Sequence, residues 1–175
     1  IRYVSICKMN ILEKIINSKT QEIAEKGKIT PIDRLKDSQR LYAIRDFKQS
    51  LQNNQIDIIA EIKRKSPSMG DILPNSSPKE IAELYVANGA SAISILTDEP
   101  FFGGKLEYIS EVKTVVDIPI LRKDFIISEY QIWESYHAGA DAILIIVDAL
   151  ELDHVKTLYQ LARELGLHVL VETHD

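Results

Sequence analysis

Gly139-Ala140-Asp141-Ala142-Ile143-Leu144-Ile145-Ile146-Val147 joins a turn of small residues to an almost purely aliphatic run. A run of this kind reads as a strand buried on both faces, the mark of a parallel sheet covered by helices. Gly89-Ala90-Ser91-Ala92-Ile93 opens in the same way. In both places glycine stops a helix and the following residues start a strand, so the chain is built from repeated βα units. Parallel strands alternating with helices fold either as a doubly wound sheet or as a (β/α) barrel.

Working outward, Ser128-Glu129-Tyr130-Gln131 and Ser77-Pro78-Lys79-Glu80 each predict a helix start with a capping box, the second with Pro78 at the first helical position. Ile81, Leu84 and Tyr85 form the expected buried stripe of that second helix. A further helix carries Leu106, Ile109 and Val112, and residues 118–124 read as a short strand ending in Arg122-Lys123-Asp124. Downstream, Leu152, Val155, Leu158, Ala162 and Leu165 mark a helix stopped at Gly166, and His168 begins another strand that ends at Glu172. Upstream, Asn10 opens an amphipathic helix over 11–24, with Leu12, Ile15, Ile16 and Ile23 on one stripe and Gly27 as its stop. Pro31 then begins a connecting segment, a short helix is expected near 47–51, and Asn53-Asn54-Gln55 reads as a turn.

That turn leads into Ile58-Ile59-Ala60-Glu61-Ile62-Lys63-Arg64-Lys65-Ser66-Pro67-Ser68-Met69-Gly70. Side chains alternate along a strand, so Ile59, Glu61 and Lys63 share one face. Placing a carboxylate and an ammonium together on an enclosed face is costly unless they are paired or put to use. The plain alternative is an edge-strand ion pair in solvent, against which the density of apolar residues before Glu61 argues. Lys65-Ser66-Pro67-Ser68 adds an ammonium, two hydroxyls and turn amides, an inventory suited to phosphate, and Gly70 is free to adopt a positive φ. In a barrel, reactive side chains gather at the carboxyl ends of several strands. Glu61 with Lys63, Lys123, and Glu172 do so on three strands, which favours the barrel. A dinucleotide-binding sheet would want a glycine-rich turn after its first strand, which this chain lacks.

The 175 residues are 45% apolar and 27% charged, ordinary for one soluble globular domain. With 21 basic against 26 acidic residues and a net charge of −5, nucleic-acid or membrane partners are not expected. Cys7, the one cysteine, fits a reducing compartment. Residues 1–8 lack a helical pattern and read as a non-native or disordered leader ahead of Met9, leaving 9–175 as a partial-barrel domain with helices over 10–52 and βα units over 56–175. Trp133 reads as packing; His137, His154 and His168 have no ligand-like spacing, and His174 has no evident partner.

The ordered motifs Glu61-Ile62-Lys63-Arg64-Lys65-Ser66-Pro67-Ser68, Leu96-Thr97-Asp98 with Phe101-Phe102-Gly103-Gly104, Leu121-Arg122-Lys123-Asp124-Phe125, Gly139-Ala140-Asp141-Ala142-Ile143-Leu144 and Val171-Glu172-Thr173-His174 resemble the indole-3-glycerol phosphate synthase family. The resemblance implies a (β/α)8 TIM barrel with an extra amino-terminal helical segment. It implies a cytoplasmic lyase of tryptophan biosynthesis that closes, decarboxylates and dehydrates 1-(o-carboxyphenylamino)-1-deoxyribulose 5-phosphate to indole-3-glycerol phosphate without cofactor or metal. By that pattern Lys123 is the general acid, Lys63 and Glu61 assist dehydration, and Glu172 shapes the field or moves a proton. Lys65, Ser66, Phe102, Phe125 and Leu144 are the implied substrate contacts. Lys63, Lys65 and Arg122 are candidates for lowering the pKa of Lys123. Met69 stands where members often carry a basic residue. The resemblance also allows fusion to or association with other enzymes of the pathway.

The departure is one of length. A complete barrel has eight strands and commonly about 250 residues, whereas about five βα units can be read here. The family's later asparagine, Glu-Ser pair and glycine-rich phosphate grip have no counterpart. The expectation is a carboxyl-terminally truncated, open sheet with edges at the strands near Ile58 and His168, inactive and poorly stable alone. The alternatives are a non-catalytic fragment and another phosphate-binding barrel such as phosphoribosylanthranilate isomerase. That isomerase is expected to use a Cys and Asp pair, and no cysteine falls at a strand end.

Overall fold

The computed structural model describes residues 10–52, 56–68, 70–72 and 76–173. The expectations for the leader 1–8, the Asn53-Asn54-Gln55 turn, Met69 and His174 therefore lie outside the described residues. Helix α1 (Ile11–Ile29) starts with a true capping box, in which Asn10 Oδ1 accepts from the Glu13 N–H at 2.8 Å and Glu13 Oε2 accepts from the Asn10 N–H at 2.9 Å. It runs through Gly27 and ends at Thr30, which is extended at φ −128°. Pro31 sets that boundary, because its ring disfavours the helical conformation in the preceding residue. Two short helices follow, α2 (Ile32–Lys36), which no sequence signal announced, and α3 (Phe47–Ser50).

Strand β1 (Ile59–Ile62) leads into a small hairpin of β2 (Lys65–Ser66) and β3 (Gly70–Asp71), where Gly70 takes φ 67°. Then come α4 (Pro78–Ala87), β4 (Ala92–Leu96), the single turn α5 (Glu99–Phe102), α6 (Glu107–Lys113) and β5 (Ile120–Lys123). The chain continues with α7 (Glu129–Ala138), β6 (Ala142–Ile146), a 3-10 turn (Val147–Ala149), α8 (Leu152–Glu164) and β7 (His168–Glu172).

Two of the predicted caps differ. Ser77 is the N-cap of α4 with Pro78 at the first position, but its side chain makes no capping hydrogen bond. Ser128 Oγ accepts from the Tyr130 N–H, while Gln131 reaches past the cap, accepting from the Ile127 N–H and donating to the Phe125 carbonyl. The stripe of α4 also shifts: Leu84 is 61% exposed and Ala82 is buried. Ala82 is the residue that faces the sheet between Ile81 and Tyr85, and its small side chain lets the helix approach.

The five longer strands form one parallel sheet in the order β1-β4-β5-β6-β7. The strands lie side by side in chain order with no reversal, as in a (β/α) barrel and not a doubly wound sheet, and the sheet is unclosed among the described residues, where β1 pairs only with β4 and β7 only with β6. Among the described residues, β1 is thus an edge of this sheet despite its apolar composition. Its outward Ile62 still packs under the helices, alongside Ile93, Ile95 and Ile120 against Ala82, Ile109 and Val112. Farther along, Ile143 and Ile145 pack against Val155, Leu158 and Ala162 of α8. Facing inward, Ile59, Ala92, Leu121 and Ala142 close over Phe47 and Leu51. The small alanines admit the Phe47 ring, so α3 plugs the amino ends of the strands.

Asp141, the acidic member of the repeated turn, fastens that end. Its carboxylate accepts from Lys113 Nζ at 2.5 and 2.6 Å, from the Ile120 N–H at 2.8 Å and from the Arg45 N–H at 2.7 Å. Both oxygens are used, as burial demands. Arg40 reaches the same region, donating to the carbonyls of Tyr42, Tyr136 and Ala140.

Candidate active site

At the carboxyl ends of the strands lies a cavity of about 570 Å³. The sheet register sets which side chains enter it. Glu61 stands level with Ser94, and Leu96 with Lys123, all on the inward parity of the sheet.

Glu61 holds two ammonium groups from two strands. Its Oε1 lies 2.9 Å from Lys63 Nζ and its Oε2 2.9 Å from Lys123 Nζ. The three side chains keep 29%, 34% and 39% of their surface in solvent, in the order Glu61, Lys63, Lys123. Burial alone would raise the pKa of Glu61, but the hydrogen bonds and charges of Lys123 and Lys63 outweigh it and hold the carboxyl below its usual range. Glu61 is thus an ionised acceptor at neutral pH, and each ammonium keeps two further N–H donors for a ligand.

The walls are apolar. Phe102 and Phe125 face each other with ring centroids 6.2 Å apart and planes tilted by 30°. Leu96, Leu144 and Ile146 line the cavity from β4 and β6, and Ile11, Leu12 and Ile15 of α1 line it from above. Phe102 is placed by α5, whose N-cap Asp98 accepts from the Phe101 N–H at 2.9 Å. Beyond it the chain turns so tightly that a Cβ on Gly104 would stand 2.1 Å from the Leu96 carbonyl oxygen, so glycine is required.

Glu172 reaches the cavity from the end of β7, and Ser66 and Ser68 from the first loop, with their hydroxyls 3.4 Å apart. Asp148, which no sequence signal singled out, lines it after β6. Lys65 is not brought in: its side chain is exposed and does not line the cavity. His137 Nε2 lies 2.7 Å from the Leu35 carbonyl, His168 lies 3.5 Å from Asp46, and His154 is exposed. Trp133 packs edge-on against Tyr136 and stacks on His137. Among the described residues, no three His, Cys, Asp or Glu side chains come together to hold a metal ion.

Arg122 does not face the cavity as Lys123 does. Alternation sends it to the outer side of β5, where it is 1% exposed and donates to Thr97 Oγ1, the Gln131 carbonyl, Ser135 Oγ, Asp124 and Glu134. It therefore lies on the side of β5 away from the Lys123 ammonium, paired within its own cluster. Asp124 accepts from Thr97 Oγ1 at 2.6 Å and from Arg122 at 2.9 Å, and Lys19 Nζ of α1 lies 3.1 Å away. Burial would raise the pKa of Asp124, but the charges of Arg122 and Lys19 and these hydrogen bonds bring it down to about 2. Lys19 is the residue that sequence reasoning missed. Burial would lower its pKa, yet Asp124, Glu22 and Asp98 outweigh that and hold it above the ordinary lysine value.

A family model described as Indole-3-glycerol phosphate synthase matches residues 12–175. The indole-3-glycerol phosphate synthase of Laribacter hongkongensis is 44% identical over 171 residues, covering 95% of this chain and 65% of the relative. That of Chlorobium limicola is 46% identical over 170 residues, with 95% and 66% covered, and that of Bacteroides thetaiotaomicron 45% over 167 residues, with 95% and 64%. The chain thus spans about two thirds of the length of the curated relatives it matches. Among the described residues, no helix is long and apolar enough to cross a membrane.

Proposed function

The chain belongs to the indole-3-glycerol phosphate synthase family, and from that premise we propose that the strand-end cavity serves closure of 1-(o-carboxyphenylamino)-1-deoxyribulose 5-phosphate to indole-3-glycerol phosphate in cytoplasmic tryptophan biosynthesis. The observation that carries this reading is one carboxylate, Glu61, holding two ammonium groups at 2.9 Å beneath an aromatic wall.

In this reading the anthranilate ring lies against Phe102 and Phe125. Its carboxyl-bearing carbon attacks the ketose carbon while Lys123 delivers a proton to the carbonyl oxygen, so that no free alkoxide forms. Carbon dioxide then leaves with its bonding electrons returned to the ring. The new hydroxyl departs as water with a proton from Lys63, and Glu172 accepts the proton released on the ring side. Glu61 keeps both lysine side chains aimed inward. Ser66 meets an anionic end of the substrate.

The cavity is lined by Glu61, Asp148 and Glu172 against Lys63 and Lys123. A substrate carrying a phosphate and a carboxylate is held weakly by that balance. The assay is indole fluorescence on adding the substrate to the purified chain, with a full-length relative as reference. The chain alone should bind weakly without measurable turnover; completed with the carboxyl-terminal third of a full-length relative it should turn over, and Lys123→Met should lower that turnover about 10²-fold or more, the scale of general acid catalysis. Unchanged turnover in that variant, or a folded, completed chain that neither binds nor turns over substrate, overturns the reading.

A further inference from the structure

Helix α1 lies outside the sheet, yet one of its lysines is among the most buried side chains of the molecule. Lys19 is 1% exposed, and its Nζ lies 3.0 Å from Asp98, 3.1 Å from Asp124 and 2.8 Å from Glu22. Glu22 belongs to the same helix, but the other two carboxylates belong to two different strand-end loops. Asp98 caps α5, which carries Phe102. Asp124 sits between Lys123 and Phe125 and accepts the Phe125 N–H at 2.8 Å.

Counting back along α1, Ile15, Leu12 and Ile11 stand four, seven and eight positions before Lys19, on one helical stripe. Those three residues line the cavity. The ammonium and the apolar roof therefore share a face, and fixing one fixes the other. A buried ion pair of this kind contributes little net stability, since desolvation offsets most of the attraction. What it adds over an apolar side chain is direction: only one rotation and one position along the helix axis bring Nζ to both carboxylates.

We propose that Lys19 is a positioning residue for this cavity, fastening α1 over its mouth and setting the Phe102 and Phe125 loops against each other. The proposal rests on the reading that the cavity takes an arylamino sugar phosphate. Lys19 itself touches no reacting atom. Its influence runs through the roof and through the two aromatic rings, so it acts on substrate placement more than on proton transfer.

The test is a kinetic split in the chain completed with the carboxyl-terminal third of a full-length relative, with a turnover-free readout on the chain itself. Lys19→Met should raise KM about tenfold or more while kcat changes less than about threefold, because a misplaced wall weakens positioning. Lys19→Arg should restore most of the loss. Glu22→Gln should change KM less than about threefold, since Glu22 links Lys19 only through Lys26 to Glu134 of α7 and to neither aromatic loop. Equal KM in Lys19→Met, or a loss confined to kcat, overturns the proposal. Should Lys19→Met fail to fold, Asp98→Asn keeps two carboxylates on the ammonium and should give a smaller KM rise. A readout without turnover separates this from failure of the functional reading. In Asp98→Asn, hydrogen exchange at the α1 amides should rise about tenfold with β5 and β6 unchanged. Unaltered α1 exchange counts against the latch even if the chain proves inactive.

Discussion

Arg122 and Lys123 are neighbours on one strand and meet opposite fates. Arg122 points outward into a network that uses its donors on Thr97, Gln131, Ser135, Asp124 and Glu134, and it is 1% exposed. Lys123 points inward to a single carboxylate and is 39% exposed. Charge alone does not mark a reactive residue. The outer cluster is saturated, so it can only hold the structure, whereas the inner one has donors left over for a ligand.

Arg122→Met should therefore be the most damaging change to the fold. It removes the guanidinium that Asp124 and Glu134 share, leaving them one ammonium each, Lys19 and Lys26, and removing one partner of a buried pair costs about 3–5 kcal/mol. Urea unfolding should show that loss or outright failure to fold. A loss below about 1 kcal/mol would mean that the partners of Arg122 find other donors. Lys123→Met, by contrast, should unfold at nearly the wild-type midpoint.

Acid separates the two regions further. The pKa of Asp124 is depressed to about 2 from its ordinary value of 3.8. A depressed carboxylate contributes stability that is present above its unfolded pKa and lost as pH falls through the folded one. The outer cluster should therefore lose about 2 kcal/mol between roughly pH 4 and pH 2. Unfolding free energies measured across that window, in wild type and in Asp124→Asn, check it. A slope unchanged by the substitution would show that Asp124 is not the group titrating.

Glu61→Gln probes the inner cluster. It removes the charge that collects both ammonium groups while keeping the shape, so catalysis should fall about tenfold or more with stability changed by under about 1 kcal/mol. A variant that simply fails to fold would place Glu61 with the structural cluster instead.

The fold was legible because its signals are local and repeated. Glycine stops, helix starts and the aliphatic run at Ala142 are properties of a few adjacent residues. Glu61, Lys63, Lys123 and Glu172 were legible as strand-end residues of one parity. The same parity argument, applied to Arg122, would have sent it outward. Lys19 carried a fainter signal, four positions after Ile15 on an apolar stripe. Its partners Asp98 and Asp124 are distant in sequence, and no helical periodicity reports them. The Gly27 stop failed because a glycine inside a helix costs only about 1 kcal/mol, which packing of α1 overrides, whereas Pro31 acts through sterics. Leu84 failed because a stripe drawn from hydrophobicity does not reveal which small residue permits close approach.

The fastening at Asp141 also has a consequence for biosynthesis. The Arg45 N–H finds its acceptor 96 residues later in the chain, and Arg40 finds the Ala140 carbonyl 100 residues later. At roughly 5–20 residues per second of synthesis, the segment that plugs the barrel waits about 5–20 seconds for its partners to emerge from the ribosome. During that interval Phe47 has no sheet to cover. The nascent chain is therefore most open to chaperones, and to misassembly, over its own amino-terminal third.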